Sequence, residues 1–459
     1  MQTAGTPDSS TKRVHKGEWG AAGLSALYFF SVLSAYYVVR PVREQFSAAV
    51  GSTNLPWFYL ATFIATLLLT PVFAWLSANY PRRIVVPGVY AFFIACLLGF
   101  IPLFNQQGLM TPRELGTLFF VWVSVFNLFV VSVFWTFMTD IWRPEQAKRL
   151  FPMIALGGTI GTIVGPMLTR SLVNVIGVAP LLAVSALLLC GSFMCIVLLS
   201  RWSSATATAT ERASYDKGVG GSMFDGLKQI FTNPFVGGMA ILMLLGDGIG
   251  TVNYALVADY TGQTFTDAAQ RTAFAANVDL ATNSLVVITQ LVLTRWILTR
   301  WGIVPAVLIW AFGATLSLLA VALVPDAGAA INGASSAAAS AQLTGGLWPF
   351  VMNMPWVVMA LVVSRALMYG ILGPARESMF AAVPRNLRYQ GKNAVDTAVW
   401  RFGDLAISTS MSAMKSIGTT VGQFAGVAAA AGLAAAWVGY RLARNAERSR
   451  TDTDQDDSQ

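Results

Sequence analysis

What most limits the fold of this chain is a repeated apolar run. Stretches of about twenty residues, almost free of charge, follow one another from Gly20 to Tyr440. Each is long enough to cross the ~30 Å hydrocarbon core of a bilayer as a helix. Lipid offers no partner to a backbone N–H or C=O, so runs of this kind fold as helices that bond internally. Twelve are legible, over 20–48, 56–77, 84–104, 117–139, 150–170, 176–200, 235–258, 272–294, 302–324, 347–375, 393–413 and 416–440. Composition agrees: 55% of residues are hydrophobic and 11% charged, against about 25% charged in a soluble domain. The expected fold class is an all-α polytopic membrane protein with twelve transmembrane helices.

Basic residues then orient the spans. Lys12, Arg13 and Lys16 precede the first; Arg82 and Arg83 follow the second; Arg143, Lys148 and Arg149 follow the fourth. Every second loop continues the pattern, down to Arg441, Arg444, Arg448 and Arg450 after the last. The intervening loops hold little beyond Arg113, Arg170, Arg271 and Lys415. By the positive-inside rule both termini are cytoplasmic. The net charge of +8 is thus spent on loops beside a lipid bilayer, and no nucleic-acid partner is expected. No cleavable signal precedes the first span, which is expected to be retained.

The longest polar interruption divides the spans six and six. The expected organisation is a cytoplasmic tail at 1–19, a six-helix half at 20–200, a linker at 201–234, a second six-helix half at 235–440 and a cytoplasmic tail at 441–459. Within the linker, Met223, Phe224, Leu227, Ile230 and Phe231 share one helical face, which predicts an amphipathic helix stopped by Asn233-Pro234. The segment from Asp326 to Gly346 is mostly Ala, Ser and Gly, an expected mobile outer loop, and the acidic tail from Thr451 is expected to be disordered. Two six-helix pseudo-repeats around a central loop are the major facilitator architecture, which holds its substrate between the halves near the midplane.

Several chemistries are not expected. Cys96, Cys190 and Cys195 lie in apolar spans and read as small hydrophobes, and the single histidine, His15, lies in the tail. No CxxC or second histidine suggests a metal, no cofactor motif is present, and no soluble catalytic domain suggests an enzyme. Gly157-Gly158-Thr159-Ile160-Gly161 follows no strand and ends in no lysine, so it is not a phosphate loop. Gly157, Gly161 and Gly165 instead predict close helix approach. The chain is expected to act as a monomer.

The functional signal is charge inside spans. A charge at mid-bilayer costs roughly 2.5–3.5 kcal/mol on insertion scales. The first span carries Tyr36-Tyr37-Val38-Val39-Arg40-Pro41-Val42-Arg43-Glu44. On a continuous helix Tyr36, Arg40, Arg43 and Ser47 share a face. Two guanidinium groups so close repel each other unless an anion sits between them. An Arg40–Glu44 ion pair would leave Arg43 unpaired. Span ten adds Arg365 with Tyr369 one turn on. Arg40, Arg43, Tyr36, Tyr37, Arg365 and Tyr369 are the expected substrate-binding residues for an anionic small-molecule solute. Glu44, Asp247 and Asp279 are candidates for coupling, Asp279 either by pairing across a cavity or by carrying a proton. Asp140, Arg376 and Glu377 stand at matching charged helix ends in the two halves and are candidates for gating. Arg401 and Asp404 of span eleven are expected to neutralise each other. Two readings stay open: a secondary transporter of an organic anion, and a proton-coupled symporter or exporter of a neutral or zwitterionic solute.

Tyr36 through Glu44, Asn54-Leu55-Pro56-Trp57, Phe126-Asn127 through Phe134-Trp135, Asp140 and Glu145-Gln146-Ala147-Lys148-Arg149-Leu150-Phe151 resemble the ATP/ADP translocase-like (nucleotide transporter) family. In the second half the resemblance rests on Gly373-Pro374-Ala375-Arg376-Glu377. It implies a major facilitator fold, an antiporter-like exchange of nucleotides, and, through the family's free-living bacterial relatives, the bacterial inner membrane. The chain differs from the nucleotide exchangers in having almost no lysine within its spans. Ala74-Trp75-Leu76-Ser77-Ala78-Asn79-Tyr80-Pro81-Arg82-Arg83 is also similar to the major facilitator signature after the second helix, with Ala78 in place of its Asp and Pro81 in place of its Gly.

Overall fold

The structure, a computed structural model, describes residues 16–80, 82–105, 110–206, 223–324, 343, 346–381, 383, 392, 395 and 399–456. Asp396, Ser335 and most of the low-complexity segment lie outside the described residues. Long helices follow in order: α1 Lys16–Val50, α2 Leu55–Asn79, α3 Arg82–Asn105, α4 Pro112–Ile141, α5 Pro144–Ile176 and α6 Ala179–Thr206. The second set is α7 Pro234–Thr264, α8 Ala268–Arg300, α9 Ile303–Leu323, α10 Trp356–Phe380, α11 Trp400–Ser416 and α12 Val421–Asp456. Among the described residues, eleven of these are long and apolar enough to cross a membrane; the described part of α11 is shorter, at 17 residues. A ten-residue helix, Met223–Thr232, precedes α7.

Two expectations need correction. The tenth span does not begin at residue 347. Leu347–Met352 is a separate short helix, and Asn353 with Pro355 breaks the chain before α10 starts at Trp356. The acidic tail is not irregular from Thr451, because α12 runs to Asp456. The turns before it, from Arg441 to Arg450, hold Leu442, Ala443, Ala446, Glu447 and four arginines, good helix formers, and Arg444 bonds the Tyr440 hydroxyl one turn back at 2.8 Å.

Buried apolar side chains fall into two clusters. One draws mainly on α1 and α3–α6 and includes Tyr28, Phe126 and Phe134. The other draws mainly on α7–α12 and includes Trp310, Phe350 and Phe380. Helix α1 runs unbroken through Pro41 and is seated on α5 by a ladder of close approaches. A Cβ on Gly157, Gly161 or Gly165 would come within 2.1, 2.6 and 2.8 Å of the carbonyl oxygens of Ala26, Phe30 and Ser34. The fourth rung is polar: Thr169 donates to the Val38 carbonyl at 3.0 Å. Both helices advance four residues per rung, so their rotation is fixed, and that rotation aims Arg40.

Helices α8 and α10 each carry a π-helical stretch, Thr289–Thr294 and Met368–Leu372. Pro374 has no N–H to offer the Gly370 carbonyl four residues earlier. Thr294 of α8 replaces it, donating to that carbonyl at 2.6 Å, and Gln290 donates to the Tyr369 carbonyl at 3.2 Å. Carbonyls freed inside a membrane are thus satisfied by the neighbouring helix.

Candidate functional site

The glycine ladder turns Arg40 toward α8. Its Nη1 meets Asp279 Oδ1 at 2.5 Å, and its Nε lies 3.6 Å from Glu44 Oε1. Arg43 donates from Nη2 to the same Glu44 oxygen at 2.5 Å and covers the Phe120 ring at 4.9 Å. These side chains are 12–14% exposed, and that of Asp279 only 4%. Two guanidinium groups therefore share one carboxylate on their own helix, and Arg40 reaches a second across the molecule. The ion pair weighed as the alternative to an anion site, Arg40 with Glu44 and Arg43 unpaired, is not the one that forms: Glu44 holds Arg43 more closely. Packing decides this, since Asp279 draws the Arg40 fork away from its own helix.

A cavity of about 40 Å³ adjoins the Arg40–Asp279 pair, lined by α1, α7, α8 and α10. It has room for water but not for an organic solute. Arg365 borders it, its guanidinium 5.8 Å from the Tyr254 ring centroid and without a carboxylate within 4.0 Å among the described residues. Tyr254 is held in turn by its hydroxyl, 2.7 Å from Ser47 Oγ. One oxygen of Asp279, Oδ2, is buried without a hydrogen-bond partner. The arrangement can bind an anion: two cations are already compensated, and a third is not.

Of the other expected residues, Tyr36, Tyr37 and Tyr369 stay within electrostatic reach of Arg40, and Tyr369 also of Arg365, while the rest stand farther off. Tyr36 is buried and packs on Tyr37, whose ring lies 5.5 Å below Arg40. Tyr369 is 49% exposed, and what it contributes to the pairing of α8 with α10 is its carbonyl. Asp247 faces α11, where a Cβ on Gly403 would come within 2.9 Å of its Oδ2. Arg401 and Asp404 make no direct ion pair among the described residues; Asp404 accepts from Thr251 at 3.1 Å, with Arg401 within electrostatic reach of it. Arg376 and Glu377 pair at 3.3 Å near the end of α10, with Lys392 on Glu377 at 2.6 Å. Asp140 lies in the last turn of α4. None of these last three expected residues lines the cavity.

A second polar cluster was missed in the sequence. Asp259 near the end of α7 accepts from the Ser52 N–H at 2.8 Å and from the Ser52 hydroxyl at 2.7 Å. Lys415 of α11 reaches Asp259 at 2.8 Å and Ser52 at 2.9 Å. Beside them a Cβ on Gly262 would come within 2.1 Å of the Ala48 carbonyl. The end of α1 is thereby fastened to α7 and α11, at the end of the molecule away from the termini. The signals were faint: Asp259 falls one residue beyond an expected span, and Lys415 is one of the few basic residues on the sparsely charged side.

No family model matches the sequence, and no curated protein sequence matches it. Solved structures do. The nucleoside transporter NupG is 13% identical with a TM-score of 0.61, over 93% of this chain and 99% of that one. A bacterial homologue of the iron transporter ferroportin, in an inward-facing state, is 14% identical with a TM-score of 0.59, over 93% and 99%. The xylose transporter XylE from E. coli, inward open, is 10% identical with a TM-score of 0.58, over 92% and 96%. All three are membrane transporters and not enzymes. The chain has their fold, the major facilitator fold: its described elements are helical, and eleven helices are long and apolar enough to cross a membrane.

Proposed function

We propose that the protein is a secondary transporter that moves an organic anion by alternating access. The observation that carries this is Arg365, a guanidinium without a carboxylate partner at a cavity between the two helix sets, opposite the Arg40–Asp279 pair. The solved structures of this fold include a nucleoside transporter, and the sequence resembles nucleotide transporters, so phosphorylated solutes belong in the first screen. Uptake into proteoliposomes, tested over carboxylates, sugar phosphates, nucleotides and small peptides, checks the reading. Accumulation of neutral solutes alone would reject it in favour of the neutral-solute symporter, which the unpartnered Asp279 oxygen also accommodates.

Arg365→Ala is expected to remove a charge-assisted contact worth about 1.5–3 kcal/mol, a tenfold to hundredfold loss of affinity for the transported anion. Melting temperature should hardly change, because no carboxylate is left unpaired. Arg365→Lys should recover only part, since an ammonium lacks the planar fork. A large fall in melting temperature with normal affinity would make Arg365 structural.

The orientation we propose has both termini in the cytoplasm of a bacterium, with the Asp259–Lys415 cluster at the outer face. Single cysteines at Asn353 and Trp301, both exposed between helices at opposite ends, test it on a background without the native three. In intact cells an impermeant thiol reagent should label Asn353→Cys and spare Trp301→Cys. The opposite pattern inverts the assignment.

A further inference from the structure

Resting on the anion reading, we propose that the solute displaces Asp279 from Arg40 and that the released carboxyl takes up one proton, so that the protein carries an organic anion together with a proton. The charge inventory of the middle turns leads there. Among the described residues these turns hold four guanidinium groups, Arg40, Arg43, Arg365 and Arg401, and four carboxyls, Glu44, Asp247, Asp279 and Asp404. With all eight ionised the sum is zero. An added anion therefore leaves a net negative charge buried in low dielectric, where uncompensated charge is costly, unless a proton enters with it.

Asp279 is the carboxyl placed to take that proton. It is the one that reaches across to α1, and its Oδ1 occupies the Arg40 fork that a solute anion would need. Its Oδ2 is buried with no partner, at the edge of the cavity. The charged groups around it are Arg40, Arg43 and Glu44 of α1 and Arg365 of α10, with Tyr37 of α1 within electrostatic reach. Tyr254 of α7 lines the same cavity, and α5 approaches α8 one turn on from Asp279, where the Thr162 carbonyl accepts from Asn283. Glu44 is a poorer candidate because Arg43 holds it whether or not Arg40 is engaged. Asp247 of α7 and Asp404 of α11 lie where those two helices meet and do not touch Arg40.

The balance is simple. A monoanion enters, the Arg40–Asp279 contact breaks, Arg40 and Arg365 hold the anion, and one proton binds Asp279. The eight described groups with the solute and its proton keep zero net charge, and the step is electroneutral. A dianion by the same route carries one negative charge inward. Nucleoside triphosphates, with three or more charges, exceed what one proton on Asp279 compensates. The site is thus selective for anions of low charge, monoanions such as a monocarboxylate before dianions such as a phosphate monoester.

The test uses the full chain in proteoliposomes containing a pH-sensitive dye, with radiolabelled lactate, malate, glycerol 3-phosphate and ATP as separate probes. For a transported monoanion, an inward gradient of one pH unit should give about tenfold accumulation at one proton per solute, and clamping the voltage at zero should not alter it. The lumen should acidify in step with uptake. Asp279→Asn should still bind the solute, at least as tightly, because the competing carboxylate is gone. It should exchange solute across the membrane but show no accumulation under the pH gradient. Uptake of any of these anions by wild type without proton entry overturns the proton step and leaves the anion reading intact. Transport of ATP alone overturns the low-charge selectivity. Transport of none of the four overturns the proposal for these solutes, and uptake of neutral solutes in their place removes the anion reading itself.

Discussion

Arg40→Ala is expected to destabilise the protein by about 3–5 kcal/mol at alkaline pH, the cost of leaving a buried charge without its partner, and by less as the pH falls and the freed Asp279 carboxyl takes a proton. The loss comes from what stays behind. Glu44 keeps Arg43 at 2.5 Å, so it is little affected. Asp279, with a side chain 4% exposed, has no other cation within 4.0 Å among the described residues. Its second oxygen already lacks a partner. Asp279→Asn alone should cost much less, because Arg40 retains Glu44 at 3.6 Å and borders the cavity. Combining the two should recover most of the loss, giving a coupling energy of several kcal/mol in a double-mutant cycle. Heat denaturation of the purified variants in detergent measures it. If Arg40→Ala and Asp279→Asn are equally mild, the pair is not a buried ion pair in solution.

The spans were legible because the bilayer sets one length and allows one kind of element, so about twenty apolar residues suffice to name a helix. Their limits were less so. Leu347, Trp348, Phe350 and Val351 are as apolar as any span, and only the Asn353-Met354-Pro355 break separates them from α10. The site was legible as charge, not as partnership. Arg40 and Asp279 are 239 residues apart in sequence. Each shows as an unusual residue in an apolar run, but which one faces which depends on helix rotation, set by contacts such as the Gly157–Thr169 ladder. Local spacing was a weak guide where it stood alone: i,i+4 geometry offered Arg40–Glu44 as the alternative to an anion site, and i,i+3 geometry offered Arg401–Asp404. The structure gives the closer contacts to Arg43 and Thr251. The Asp259–Lys415 cluster lay at span ends, where a charge is ordinary and attracts no notice.

Two glycines with the same steric problem should fail in different ways. A methyl at Gly157 would meet the Ala26 carbonyl at 2.1 Å, and a methyl at Gly262 would meet the Ala48 carbonyl at 2.1 Å. Neither obstacle is a flexible side chain, so in both cases a helix must move. Overpacking of this kind costs typically 1–3 kcal/mol. Gly157 lies between α1 and α5, which share one buried cluster and a four-rung register. Gly157→Ala therefore spoils a core, and its cost should appear as lower yield and lower heat stability. Gly262 lies where the end of α1 meets α7, next to the Asp259–Lys415 contact, and closure there is one of the states that alternating access requires. Gly262→Ala can escape the clash by opening that end and leaving both clusters intact. Its 1–3 kcal/mol should then shift the open-to-closed ratio by roughly tenfold to a hundredfold and leave the melting temperature near that of the parent. A single cysteine at Ala258, buried at the cavity in the closed form, reports the difference. Its reaction with an impermeant thiol reagent in intact cells should speed up on adding Gly262→Ala and stay slow on adding Gly157→Ala. Equal labelling in the two, with equal losses of heat stability, would show that the Gly262 contact belongs to a rigid core and not to a gate.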